Sequence, residues 1–176
     1  MKRLLLISDS HGMREQFEEI CKLHPEAYKI IFLGDGAAEF EGIKADHPDW
    51  PLVGVRGNND FGSQLPYDNV VVVDGWRIFL THGHHYGVRA GVNAVTNEAL
   101  EHNCNAVFYG HTHVQFSGKE NGIWAVNPGA VFSYPQSKYA MVDLLDDGKM
   151  VVNLTELKDS RRNEDRLSSF FKTFRK

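Results

Sequence analysis

Cysteine is scarce. Cys21 and Cys104 are the only two in 176 residues, and neither stands in a CxxC pair. That rules out a disulfide framework and a cysteine-built zinc cluster. One disulfide is arithmetically possible, but isolated cysteines in apolar surroundings ordinarily stay reduced. Long apolar runs are missing too: nothing approaches the ~20 residues that cross a bilayer. The run after Met1-Lys2-Arg3 is too short for a signal-peptide core and has no small-residue cleavage site behind it. We therefore expect a cytoplasmic protein without membrane contact. Excess positive charge is also lacking. Nineteen Lys and Arg against 23 Asp and Glu give a net charge of −4, which disfavours nucleic acid as a partner. There are no internal repeats and no low-complexity segment.

What is present suits a globular chain with a sizeable core: 42% hydrophobic and 24% charged residues over 176 positions. Nine histidines are the outlying count, and their placement carries the argument. Leu4-Leu5-Leu6-Ile7 is a bare aliphatic run that needs burial on both faces, as in a parallel strand. It empties into Ser8-Asp9-Ser10-His11-Gly12. Ile30-Ile31-Phe32-Leu33 empties into Gly34-Asp35-Gly36, and Leu52-Val53-Gly54-Val55 into Arg56-Gly57-Asn58-Asn59-Asp60. A helix from Met13 to about Leu23, with Met13, Phe17, Ile20 and Cys21 at helical spacing, stops before Pro25. A short helical stretch separates the second and third strands. Strand, helix, strand, helix, strand predicts a parallel sheet with crossovers, whose sites gather at the carboxyl ends of strands.

Val70–Val73, the turn Asp74-Gly75 and Trp76–Leu80 read as a hairpin. Its second strand ends in Thr81-His82-Gly83-His84-His85. A helix from Val88 to about Glu101 follows, then the strand Ala106–Tyr109, ending in Gly110-His111-Thr112-His113. The remainder reads as mostly antiparallel, with strands at Val114–Ser117, Ile123–Val126, Tyr139–Leu145 and Met150–Leu157. Past Lys158 the composition shifts: seven basic and three acidic residues make this tail +4 and the rest −8. Leu167, Phe170, Phe171 and Phe174 fall on one helical face. The plain reading is a terminal helix docked on its own domain or on a second subunit; the sharper one is a membrane-surface helix.

Five loops after five apolar strands thus offer Asp9 with His11, Asp35, Asn58, His82 with His84, and His111 with His113. Each alone is ordinary: Asp and Ser cap helices, and histidines sit on surface loops. Together they are hard or borderline metal ligands placed where a sheet converges them. An HxH pair can share one ion or split between two, and an Asp between glycines can bridge two. Oxygen and nitrogen ligands without cysteine favour Mn²⁺, Fe, Zn²⁺ or Ni²⁺ over an all-oxygen Ca²⁺ or Mg²⁺ site. Two ions bridged by a carboxylate and a hydroxide suit phosphoester hydrolysis.

Asp9-x-His11, Gly34-Asp35, Gly57-Asn58, Thr81-His82-Gly83-His84 and Gly110-His111-Thr112-His113 resemble the calcineurin-like metallophosphoesterase signature, in order. The short length and Asn127-Pro128-Gly129 are similar to its small bacterial and archaeal phosphodiesterase branch, kin to a eukaryotic retromer scaffold subunit. The resemblance implies an α/β fold, a four-layer αββα sandwich of two mixed β-sheets flanked by helices. It implies a metallophosphoesterase domain over residues 1–157, with 158–176 as a basic amphipathic tail. It implies that Asp9, His11, Asp35 and His113 hold one divalent ion, Mn²⁺ foremost, and that Asp35, Asn58, His82 and His111 hold another. The implied activity is hydrolysis of small phosphodiesters by in-line attack of a metal-bridging hydroxide.

One departure stands out. Many members carry His directly after the Gly-Asn pair, where this chain has Asn59. An amide donates a hydrogen bond but supplies no proton near neutral pH, so we expect good leaving groups such as phenolates to be cleaved more readily than alkoxides. His84 is the candidate catalytic or phosphate-orienting residue. Arg56 is a candidate for a salt bridge or a substrate contact, and Glu39 and Asp60 for orienting ligand histidines. His24, His47 and His102 are expected to pack near helices. The alternative function is a metal-binding interaction scaffold of the same fold, and the tail makes a homo-oligomer conceivable.

Overall fold

The computed structural model describes residues 1–157. The basic tail expected over 158–176, with its Leu and Phe face, lies outside the described residues. Among the described residues, ten strands form two five-stranded sheets. The first has the order β10-β9-β1-β2-β3, with β1 at Lys2–Ile7, β2 at Lys29–Phe32, β3 at Leu52–Gly54, β9 at Lys138–Leu144 and β10 at Met150–Glu156. The second has the order β4-β5-β6-β8-β7, with β4 at Asp68–Val73, β5 at Trp76–Thr81, β6 at Ala106–Phe108, β7 at Gln115–Glu120 and β8 at Ile123–Pro128.

The aliphatic run of β1 explains the layering. Alternate side chains of a strand point to opposite faces. Leu4 and Leu6 enter a core with Ile31, Ile78, Leu80 and Phe108, between the two sheets. Leu5 and Ile7 enter a second core with Phe17, Ile20, Phe40 and Ile43. Those last four come from α1 (Arg14–Leu23) and α2 (Ala37–Asp46), which cover the outer face of the first sheet. Rings of Phe17, Phe32 and Phe40 stack across this layer at 5.6 and 5.2 Å. Each buried Phe contributes about 1.5–3 kcal/mol. α3 (Asn93–Glu101) covers the second sheet, with Val95 and Ala99 packed on Phe79 and Val107. The result is the expected αββα sandwich.

One expectation is corrected. The helix proposed from Val88 begins only at Asn93. His84–Tyr86 forms a single 3-10 turn before it, and Gly91, at φ +143°, interrupts any helix between. The strands after His113 pair mostly antiparallel, as expected, with the parallel pairing of β8 on β6 the exception. β5, β6 and β8 run parallel at the centre of their sheet, with β4 and β7 antiparallel at its edges, and β9 returns to pair antiparallel with β1. The second sheet has a parallel centre and the first has a parallel side, β1-β2-β3, and the carboxyl ends of β1, β2, β3, β5, β6 and β8 all feed loops of the candidate site. Cys21 and Cys104 are free buried thiols, as expected.

Candidate metal centre

Asp9 and His11 follow β1, Asp35 follows β2, Asn58 follows β3, His82 and His84 follow β5, and His111 and His113 follow β6. Backbone bonds stitch these ends together. Asp9 N–H donates to Gly34 O at 2.9 Å, His11 N–H to Asp35 O at 3.2 Å and Gly110 N–H to His82 O at 3.2 Å. The loops approach closely enough to demand glycine. A Cβ on Gly57 would stand 2.1 Å from Asp35 Oδ1, and one on Gly110 would stand 2.0 Å from Ser8 Oγ.

Eight non-glycine residues among those described adopt positive φ, and five are candidate ligands: Asp9, His11, Asp35, His111 and His113. This left-handed conformation costs an L-residue roughly 1–2 kcal/mol. Asp and His tolerate it better than bulky or branched residues do, but the clustering indicates that packing holds these side chains in one direction.

The side chains converge. Asp9 Oδ1 lies 3.1 Å from His113 Nε2, 3.8 Å from His11 Nε2 and 3.9 Å from His82 Nε2. Asp35 Oδ2 lies 3.3 Å from His82 Nε2 and 3.8 Å from His11 Nε2. Two groups can each surround a cation: Asp9 with His11 and His113, and Asp9 with Asp35 and His82. Ligand atoms about 2.0–2.2 Å from a shared ion stand about 3–4 Å from one another, which matches these separations. Asp9 Oδ1 and His82 Nε2 are buried and have no hydrogen-bond partner; even the 3.1 Å approach of His113 lacks hydrogen-bonding geometry. Buried polar atoms are rarely left so. A divalent ion satisfies both, so the residues fit the group.

Neighbours aim these atoms. His82 Nδ1 faces the Leu33 carbonyl at 2.7 Å. A carbonyl only accepts, so Nδ1 carries the proton and the Nε2 lone pair is free to ligate. Ser8 Oγ donates to Asp9 Oδ2 at 2.5 Å and His111 N–H to the same oxygen at 3.1 Å, leaving Oδ1 to face the histidines. His111 completes the cluster with its ring 5.1 Å from that of His82. Asn58 is exposed in the loop after β3.

The electrostatics agree. Burial pushes the Asp9 carboxyl up, but the close approach of the His11 and His113 rings, the nearby His82 charge and the Ser8 hydrogen bond outweigh it and hold it well below the usual range. Asp35 is likewise lowered: burial opposes, and His82 and Asn59 prevail. The nearby Asp9 carboxylate raises His11; His82 is raised by Asp35 and Asp9 against the effect of burial. Both carboxylates are thus ionised at any physiological pH. His111 is lowered, by burial first and then by the charges of His82 and Arg89. His84 drops to about 4 through burial and the flanking histidines. Neutral at pH 7, it is suited to orienting a phosphate by hydrogen bonding and unsuited to donating a proton as an acid. Its ring stands 5.4 Å from that of His82.

Three supporting roles differ from expectation. Asp60 orients no histidine. Its carboxylate accepts four backbone N–H bonds, from Asp35, Gly36 and Ala37 at 2.8 Å and from Gly57 at 2.7 Å, stapling the β2 loop to the β3 loop. Arg56 makes no salt bridge among the described residues; its guanidinium lies 4.4 Å from the Tyr67 ring centroid and donates to Ser63 O. Glu39 accepts from Ser10 Oγ and Gly12 N. His24, His47 and His102 pack on Tyr139, Trp50 and Phe79 as expected. The residue that sequence reasoning passed over is Asn127. Fully buried at the end of β8, it donates to Gly110 O at 2.8 Å and Thr112 Oγ1 at 3.1 Å and so shapes the loop of His111 and His113. Its signal was the Asn-Pro-Gly turn after an apolar strand.

Comparison with known proteins accords with this arrangement. The chain is 31% identical over 153 residues to the probable metallophosphoesterase YsnB of Bacillus subtilis, covering 84% of this chain and 88% of that one. It is 29% identical over 171 residues to the phosphodiesterase YfcE of Escherichia coli, covering 81% and 88%. Its fold is similar to that of Vacuolar Protein Sorting 29 from Cryptosporidium parvum, with a TM-score of 0.64, 21% identity and coverage of 90% and 98%. The family model for the calcineurin-like phosphoesterase superfamily domain matches residues 1–147, and the chain belongs to that superfamily.

Proposed function

We propose that this protein is a dinuclear metal-dependent phosphodiesterase acting on small phosphodiesters. The observation that carries the reading is the pair of buried, unpartnered ligand atoms, Asp9 Oδ1 and His82 Nε2, facing each other at 3.9 Å within a ring of histidines and carboxylates. Asp9, His11, Asp35 and His113 hold one ion, and Asp35, Asn58, His82 and His111 the other, with Mn²⁺ the leading candidate. Bound divalent ions supply a nucleophile from water at neutral pH and neutralise phosphoryl charge. The chain does the rest. Asp9 and Asp35, ionised by their neighbours, present oxygens without losing a proton first. Leu33 O fixes the tautomer of His82, and Asp60 and Asn127 fix the loops. His84, neutral, hydrogen-bonds a phosphoryl oxygen. Asn59 donates its backbone N–H to Asp35 Oδ1 at 2.8 Å and its amide to Oδ2 at 2.6 Å, and provides no acid for the leaving group. This supports a preference for leaving groups that depart without a proton. The naming of YfcE as a phosphodiesterase points the same way.

The test is mutational. Asp35→Asn and His82→Ala should abolish metal-dependent diester hydrolysis while far-UV circular dichroism is unchanged. Full activity in either variant, with metal present, would sink the assignment. A second reading, a metal-binding interaction scaffold, is favoured by the likeness in fold to Vacuolar Protein Sorting 29. It predicts bound metal with no turnover, and a complete ligand set argues against it.

A further inference from the structure

The metal centre opens onto a depression of about 350 Å³, and two of the proposed ligands, His11 and Asp35, form part of its wall. The rest comes from the start of α2 and the loop after β3. The wall is acidic: Asp35, Glu39, Glu41 and Asp60 line it, and no Lys or Arg does. Two of these four carboxylates are already engaged. Asp60 holds its four backbone N–H groups, and Asp35 faces His82, His11 and Asn59. Glu39 and Glu41 have capacity left. Their hydrogen bonds come from Ser10, Gly12 and Ser63. All three donors are neutral, so among the described residues no cation answers either glutamate.

The start of a helix ordinarily favours an anion. Here the N–H groups of Gly36 and Ala37 are taken by Asp60, which leaves the glutamates to set the sign. Phe61 lines the same depression and is 87% exposed. A ring face attracts an ammonium group, and nearby carboxylates balance its charge. The volume is at the small end of ligand sites, about 300–1,000 Å³, which suits a compact organic group.

We propose that this depression takes the organic group that stays on phosphorus during hydrolysis, and that it selects one carrying an ammonium, as a choline ester does. Glu39 and Glu41 are its specificity-determining residues, and Phe61 packs against the cation. The inference rests on the phosphodiesterase reading above. Such a substrate is a zwitterion, and the site is its complement: the phosphate belongs with the cations held by His11, Asp35 and their partners, and the ammonium with the glutamates beside them.

Two chromogenic diesters of one shape test it, at one fixed ionic strength. They are p-nitrophenyl phosphorylcholine and its uncharged carbon counterpart, p-nitrophenyl 3,3-dimethylbutyl phosphate. The leaving group is the same in both, so Asn59 weighs on them equally. Wild-type kcat/KM should favour the choline ester about tenfold, the scale of close charge partners at a protein surface. The double variant Glu39→Gln with Glu41→Gln should erase that preference, and Phe61→Leu should cut it about threefold. Equal kcat/KM for the two esters in the wild type, or an unchanged preference in the double variant, overturns the proposal. If neither ester is turned over, the phosphodiesterase reading fails and binding decides the inference. Calorimetry then compares phosphocholine with 3,3-dimethylbutyl phosphate on the Mn²⁺-loaded protein. Tighter binding of phosphocholine that disappears in the double variant supports the cation pocket. Equal affinity of the wild type for both refutes it.

Discussion

Asp60 accepts four backbone N–H bonds on one nearly buried carboxylate, two on each oxygen. Replacing either oxygen by an amide NH₂ sets a donor against two donors, and an unsatisfied buried group costs about 1–3 kcal/mol. Asp60→Asn should therefore lower unfolding free energy by about 3 kcal/mol and weaken metal binding, because Asp35 and Asn58 lose their common anchor. Denaturant melts and metal calorimetry check both; a variant that melts and binds like wild type would show the staple to be dispensable. The raised histidines give a pH dependence. A ligating imidazole must be deprotonated, and His11 and His82 hold protons above their ordinary 6.5 in the metal-free protein. Metal binding must displace those protons, so affinity should climb with pH from 6.5 upward and level off once both rings are neutral. Titrations in buffers of different ionisation enthalpy should show proton release near pH 6.5 that shrinks as pH rises. Release that is zero, or that grows with pH, would contradict these rings as ligands.

At the level of elements, the site is a set of strand ends whose loops nearly touch. Gly57→Ala would drive a methyl to 2.1 Å from Asp35 Oδ1 and 2.6 Å from Asp35 N. Overpacking of this kind costs about 1–3 kcal/mol, and the displaced loop should lose metal while far-UV circular dichroism stays native. Wild-type metal affinity in Gly57→Ala would mean that the β2 and β3 loops move freely of each other. Much of this layout is legible in the sequence. The aliphatic runs of β1 and β2 announce strands buried on both faces, and each runs straight into its ligands. What escapes is what tertiary contact decides. Val88 and Val92 look helical by spacing, but Gly91 and the tight packing of Val88 on Gly83 delay the helix to Asn93. The parallel pairing of β6 with β8 is hidden because β7, between them in sequence, forms a conventional hairpin with β8. Asp60 reads as a turn residue, and nothing local reveals that its acceptors serve another strand's loop. The positive φ values of the ligands are equally invisible, since Asp and His carry no turn signature of their own here.

Taken whole, the molecule is two mixed sheets face to face, with the parallel strands of both aimed at one rim. That geometry lets six strand ends meet, and it makes metal binding a property of the folded state alone. A ligand that binds only the native form stabilises it by about 2.7 kcal/mol at a hundred times its Kd, which for a chain of this size raises Tm by about 5–10 °C. Added Mn²⁺ should produce such a shift, a chelator should reverse it, and Asp35→Asn should lose most of it. No helix among the described residues is long and apolar enough to cross a membrane. The most direct test of the account is the initial rate on a chromogenic phosphodiester and its matching monoester, with metal-stripped protein titrated by Mn²⁺. The account predicts diester turnover that rises with metal and exceeds monoester turnover throughout. Two ions bound per chain with no turnover of either ester would contradict it and leave the scaffold reading in its place.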